Sequence, residues 1–132
     1  MTHPTFDFLV HDERLAIARL DPHAAVPSWA LGRFVTVSRT AAELSVVCAQ
    51  RHVPPGVRQE RDRVALGIAG VVEMTTIGVL ASICRTLADA QVPVFVISTY
   101  ETDWLLVRAD RFGAAHGALV GAGHRIRGPL PY

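Results

Sequence analysis

Val92–Val107, VPVFVISTYETDWLLV, is the stretch from which the rest of the chain is read. Its two ends, Val92–Thr99 and Asp103–Val107, are apolar runs rich in β-branched and aromatic residues, and each predicts a strand. Between them Ser98, Thr99, Tyr100, Glu101, Thr102 and Asp103 form a polar corner with the composition of a hairpin turn. Val94 and Val96 share one face of the first strand, Phe95 and Ile97 the other, so both faces are apolar.

Just upstream, Ile77–Gln91 has a helical period. Ile77, Leu80, Ala81, Cys84, Leu87 and Ala88 make a core stripe, and Thr75 or Thr76 can serve as N-cap. Further upstream Arg63–Val72 reads as a strand apolar on both faces, with Gly67 and Gly70 marking a bulge or a close approach. Downstream, a helix over Arg111–Val120 is stopped by Gly121 and Gly123, and a short strand runs through His124–Arg127. The order over 63–127 is therefore βαββαβ, the ferredoxin-like order.

Residues 14–62 open in a similar way: a strand over Arg14–Leu20, a turn at Asp21–Pro22, one helical turn over Pro27–Leu31, and strands Phe34–Thr40 and Leu44–Ala49 paired as a hairpin. The loop RHVPPGVRQERD then stands where a second helix would be. Residues 1–13 mix aromatic and charged residues without a period and read as an N-terminal arm, docking through Phe6, Phe8 and Leu9. The fold class is α+β, with two tandem ferredoxin-like modules: 14–62 is the degenerate one and 63–127 the complete one. Helices of one module cover only one sheet face. The apolar second face must meet another sheet, module or subunit, which predicts an oligomer, most simply a homodimer.

Composition removes several functions. A net charge of +1 and a pI near 7.9 supply no field for nucleic acid or an acidic membrane, and the basic residues, all arginine, are interleaved with Asp and Glu. Half the residues are hydrophobic and mean hydropathy is +0.28, yet no apolar run approaches the ~20 residues of a spanning helix. The N-terminus lacks a basic start followed by an apolar core, so the expected location is cytoplasmic. Cys48 and Cys84 read as buried reduced thiols. The six histidines show no metal-ligand spacing, and the glycines at 117, 121 and 123 end a helix where a nucleotide loop would begin one, so no metal or other cofactor is expected. The strands lack the basic, aromatic pattern of an RNA-recognition module. Ser98, Asp103 and His124 are separately plausible catalytic groups, but nothing in their spacing makes a triad, so the chain reads as a non-enzyme.

The polar corner is the best candidate site. A helix start offers backbone N–H groups and partial positive charge to an anion, and at Ile77, Gly78, Val79 and Leu80 no bulky polar side chain intervenes. Opposite, Asp103 can hold an ammonium group while the Ser98 and Thr99 hydroxyls complete the shell, which describes a receptor for an α-amino acid. The same residues also suit a plain hairpin turn in which Thr75 merely caps and Gly78 packs helix on sheet. A protein–protein assembly module docking on an unknown protein target, and a small enzyme using Asp103, are the other two readings.

The segment GVLASICRTLADAQVPVFVISTYETDWLLV resembles the ACT-domain proteins of the CASTOR-like group, which carry a G-[IV]-L helix start and an STYxTDxxLV strand corner. LAIARLDPHAAVPSWA and FVTVSRTAAELSVVC resemble the opening module of the same group, so the likeness spans Leu15 to His124. ACT domains are βαββαβ regulatory modules that bind amino acids between modules. The resemblance implies Gly78, Val79 and Leu80 at the ligand carboxylate, and Thr99, Tyr100 and Asp103 around its ammonium group and side chain. The eukaryotic arginine sensor of this group holds two tandem halves in one chain, whereas this sequence matches one half; the resemblance therefore implies a site formed across a homodimer. It does not carry over the identity of the amino acid.

Overall fold

The computed structural model describes residues 4–73 and 76–128. The elements are β1 (Asp7–Val10), β2 (Leu15–Leu20), β3 (Thr36–Arg39), β4 (Leu44–Ala49), β5 (Gln59–Ile68), α1 (Val79–Asp89), β6 (Phe95–Ser98), β7 (Asp103–Arg108), α2 (Phe112–Gly121) and β8 (Arg125–Arg127). From β5 onward their order is the ferredoxin-like βαββαβ. The chain divides into two compact units, one of residues up to 12 together with those from 64 onward, the other of residues 13–63.

In the first unit the strand order is β8-β1-β5-β7-β6. β1 lies between the first and last strands of the βαββαβ series, antiparallel to β5 (Phe8 opposite Ile68, Val10 opposite Leu66) and parallel to β8 (Asp7 opposite Arg125, Leu9 opposite Arg127). The segment read above as an arm is thus an interior strand. Its signal is short: only Phe8 and Val10 alternate inward, and Asp7 interrupts the apolar pattern. That charge is balanced across the strand pair by Arg125 at 3.5 Å and Arg127 at 2.8 Å. Just ahead, the Phe6 N–H donates to Nδ1 of buried His124 at 3.0 Å, and the His124 ring stacks on Phe6 and meets Phe8 edge-on.

Both helices cover one face of this sheet. Val79, Ile83 and Leu87 of α1 and Phe112, Ala115 and Leu119 of α2 pack with Phe8, Val10, Val64, Leu66, Ile68, Leu105 and Val107. Each large aliphatic or aromatic side chain so buried stabilises the fold by roughly 1.5–3 kcal/mol. The α1 stripe differs from the expected one in phase. Ile77 precedes the helix, Leu80 and Cys84 are half-buried, and Ala81 and Ala88 are exposed. VLASICRTLA is apolar in two overlapping stripes, and the larger side chains at 79 and 83 take the core.

The second sheet face is apolar as expected. Ala65, Gly67 and Leu106 are buried on it, Ile97 and Trp104 half-buried, while Phe95 and Leu9 stay 39% and 46% exposed. Gly67 marks a close approach: a Cβ there would lie 2.6 Å from the Trp104 ring. Helix α1 ends with Gln91 in the left-handed region (φ 62°), the Val92 N–H bonded to the Leu87 carbonyl, and the Arg111 guanidinium donating to the carbonyls of Ala90 and Gln91.

In the second unit β3, β4, β2 and residues 59–63 of β5 pair antiparallel in that order. The β3–β4 hairpin is the expected one. No α-helix forms among these residues: Pro27–Leu31 makes only turns, and Ala24, Trp29 and Ala30 pack onto Ala16, Ala18, Leu44, Val46, Cys48 and Val53 as a helix would. Arg39 holds that segment by donating to the carbonyls of Pro22 and Ala24. β5 begins at Gln59, inside the stretch expected to be loop, because β2 supplies backbone partners to a sequence with no apolar pattern. Its pairing slips between Leu15 and Ile17 at a bulge, where Asp62 (φ 58°) exchanges hydrogen bonds with the Gln50 amide and pairs with Arg14 at 3.3 Å.

Candidate ligand-binding cleft

The hairpin corner is closed by local polar bonds. The Thr99 N–H donates to the Thr102 carbonyl at 2.8 Å, the Thr99 hydroxyl to the same carbonyl at 3.1 Å, and the Thr102 hydroxyl to the Ile68 carbonyl at 2.7 Å. The Val72 N–H donates to the Glu101 carbonyl at 2.7 Å, which ties the β5–α1 connection to the corner. These bonds hold two chain segments side by side at the ends of β5, β6 and β7.

Between them lies a cleft of about 490 Å³, lined by Val72, Glu73 and Thr76 of the connection, Gly78 to Ala81 of the helix start, and Ser98 to Tyr100, Thr102 and Asp103 of the corner. Of the eight candidate residues, Gly78, Val79, Leu80, Ser98, Thr99, Tyr100 and Asp103 line it. Ile77 does not; it is 96% exposed and lies outside the helix.

The helix start differs from the expected one. Its N-cap is Gly78, at φ 83° in the left-handed region, and among the described residues no side chain caps it. Thr76 is two residues upstream, and Thr75 lies outside the described residues. Among the described residues the first-turn amides of Val79, Leu80 and Ala81 therefore have no side-chain acceptor at the cleft wall that these residues form. Opposite, Ser98 and Asp103 face each other across β6 and β7, and the Ser98 hydroxyl donates to Asp103 Oδ1 at 2.6 Å. That bond orients the half-buried carboxylate and leaves it further acceptor capacity.

The cleft thus pairs amide donors with a carboxylate acceptor, which is the polarity an α-amino acid presents in reverse. Glu73, Val72 and Ala81 were missed by sequence reasoning, while Thr102 was read only as part of the corner and Thr76 only as a possible cap. Glu73 and Thr76 sit in a connection without periodicity, and their place between a strand end and a helix start was the one available signal. Cys84, one turn beyond Leu80, has its thiol pKa raised first by burial and then by the Asp103 carboxylate. Both cysteines are free, Cys48 buried and Cys84 half-buried. Among the described residues no three His, Cys, Asp or Glu side chains gather as a metal site, and no helix is long and apolar enough to cross a membrane.

The βαββαβ unit with a cleft at the start of its first helix is an ACT domain, and the ACT-domain family model matches residues 59–120. A second family model, described as an N-terminal domain, matches residues 13–56. The protein Atu0741 from Agobacterium tumefaciens is 30% identical, with 98% of each chain covered and a TM-score of 0.91, and the chain belongs to its family. VC0802 from Vibrio cholerae (16% identity, 89% of this chain and 90% of that one, TM-score 0.70) shares the fold. So does the regulatory subunit of aspartate kinase from Thermus flavus (12% identity, 92% and 99% covered, TM-score 0.64). None of the curated proteins matches the chain.

Proposed function

We propose that this protein is a non-catalytic regulatory or sensor protein of the cytoplasm that binds an amino acid or a related small metabolite in the 72–103 cleft. The ligand's carboxylate takes the amides of Val79 and Leu80, approached over Gly78. Its ammonium group takes Asp103, beside the hydroxyls of Ser98 and Thr99, with Tyr100 over the mouth. The observation that carries this reading is the meeting of uncapped helix amides and an oriented carboxylate across one cleft. The fold shared with a kinase regulatory subunit and the resemblance to the CASTOR-like group support it. In that reading the second apolar sheet face pairs two chains, and binding signals by favouring one arrangement of the homodimer.

A specific observation favours a second reading, an assembly module that docks a protein target. Among the described residues the three most exposed large apolar ones are Ile77 (96%), Tyr100 (84%) and Val71 (65%); Tyr100 lines the cleft, and Ile77 and Val71 adjoin lining residues in the chain.

Thermal-shift measurement against the standard amino acids separates the two. A ligand at about 100 times its dissociation constant adds roughly 2.7 kcal/mol, a rise on the order of 10 °C for a domain of this size. Asp103→Ala removes the shift while the protein stays folded and dimeric by light scattering. Silence with every amino acid overturns the sensor reading.

A further inference from the structure

Among the described residues His124 is the one buried side chain that titrates near neutral pH, at 3% exposure, and it does not line the cleft. It stands just ahead of β8 and holds the residue that leads into β1. The Phe6 N–H donates to His124 Nδ1 at 3.0 Å, and the next residue's N–H, that of Arg125, donates to the Phe6 carbonyl at 3.0 Å. The ring stacks on Phe6 at 6.0 Å between centroids and meets the edge of Phe8 at 5.4 Å. A ring nitrogen that accepts from an N–H carries no proton, so this bond requires the neutral imidazole with its proton on Nε2. An imidazolium donates from both nitrogens. It would set an Nδ1–H against the Phe6 N–H and bring a charge between two aromatic rings.

The charged groups on the neighbouring elements are engaged elsewhere. Asp7 of β1 pairs with Arg125 and Arg127 of β8 at 3.5 and 2.8 Å, and alternation along β1 puts it on the face away from Phe8. β5, the other neighbour of β1, is uncharged over Val64–Ile68. The end of α2 is uncharged from Ala118 to Ala122, with His116 further up the helix beside Phe112. The last carbonyls of α2 already accept from the N–H groups of Ala122, Gly123 and His124 itself. We propose that His124 makes the seating of β1 pH-sensitive: protonation of its ring releases Phe6 and with it the strand that lies between β5 and β8. β1 contributes Phe8 and Val10 to the core and pairs on both sides, so its departure bares two strand edges and the apolar ground beneath them. The sign is definite. A histidine held neutral by its fold gives its full stabilisation above the unfolded value of about 6.5 and loses it as pH falls from there toward the folded value.

Segment-resolved hydrogen exchange of the full chain, from about pH 7.5 to 5 and corrected for the intrinsic pH dependence of exchange, reads this directly. Protection of residues 6–10 is expected to be level above about pH 7 and to fall by up to about tenfold per pH unit below about 6.5, the limit for an opening that takes up one proton. The β6–β7 hairpin, which does not touch β1 in the sheet, is expected to keep its protection in the same samples. His124→Asn, whose side-chain oxygen accepts from the Phe6 N–H without titrating, is expected to give residues 6–10 the same protection at both ends of the range. Asp7→Asn is expected to leave the wild-type profile in place. Level protection of residues 6–10 in the wild type, parallel loss in the hairpin, a pH dependence that persists in His124→Asn, or one abolished by Asp7→Asn overturns the proposal. If His124→Asn does not fold, the wild-type and Asp7→Asn profiles still decide it.

Discussion

Gly67→Ala tests whether the sheet beneath the corner is as tight as the geometry makes it. A Cβ on Gly67 would sit 2.6 Å from Trp104 Cζ3 and 2.8 Å from two further ring atoms, 0.8 Å short of ordinary contact at 3.4 Å for the nearest. Gly67 is buried in β5 and Trp104 belongs to β7, so neither backbone moves without disturbing a paired strand. The ring is rigid and cannot bend away as a methionine would. Overpacking of this kind costs about 1–3 kcal/mol, which corresponds to roughly 3–10 °C in Tm for a domain of this size.

Urea unfolding of Gly67→Ala, Trp104→Val and the double variant supplies the measurement, read as midpoints at constant slope. Each single change is destabilising, the first by overlap and the second by lost packing. The double variant is expected to be less destabilised than their sum by at least about 0.5 kcal/mol, since the new methyl enters space the ring has left. Trp104 adjoins Asp103, so Gly67→Ala should also weaken any ligand that depends on the Ser98–Asp103 pair. A neutral Gly67→Ala, or strict additivity in the double variant, refutes the close packing of Trp104 over Gly67.

Gln91 closes α1 in the left-handed region at φ 62° with its side chain exposed. Gln91→Gly should therefore stabilise the protein by up to about 1 kcal/mol, measured by the same urea midpoints, because glycine adopts that φ without strain. Burial raises the thiol pKa of both Cys48 and Cys84 above the ordinary 9.0, and Asp103 adds to the effect at Cys84. Alkylation by iodoacetamide at pH 8 should be slow for both in the native protein, and Asp103→Asn should speed Cys84 while leaving Cys48 unchanged. The linkage has a definite sign: a pKa raised by folding leaves the thiols' contribution intact below pH 9 and withdraws it as pH climbs through the folded values.

Much of the first unit was legible because its elements are long relative to their period. Leu105 and Val107 alternate with Trp104 and Leu106, and Phe112, Ala115 and Leu119 recur at helical spacing, so each element declares its type. The corner was legible as a turn, because hydroxyls and carboxylates crowded between two apolar strands mark a hairpin. Elsewhere the signal was local and the cause was not. β1 has two inward residues, and only Ile68, Leu66 and Ile126 around it make it a strand. Gln59–Arg63 is charged throughout and becomes a strand because β2 offers backbone partners. In α1 two apolar stripes overlap, and side-chain size at 79 and 83, rather than period, chose between them. Glu73 was invisible because a connection has no period to break.

The same distinction bears on how the cleft could report its ligand. One wall, the corner, is held by the Thr102–Ile68 and Val72–Glu101 bonds, each 2.7 Å, and by the Ser98–Asp103 pair. The other wall begins at Gly78, which has a left-handed φ and open space where a side chain would stand. A ligand bridging Asp103 and the α1 amides would therefore bring the helix start and the corner together. The segment that would move carries Ile77, nearly fully exposed, and the corner carries Tyr100. Changing their separation reshapes the most exposed apolar surface of the described residues, so ligand binding and partner docking would be coupled through one short segment, without any chemical step.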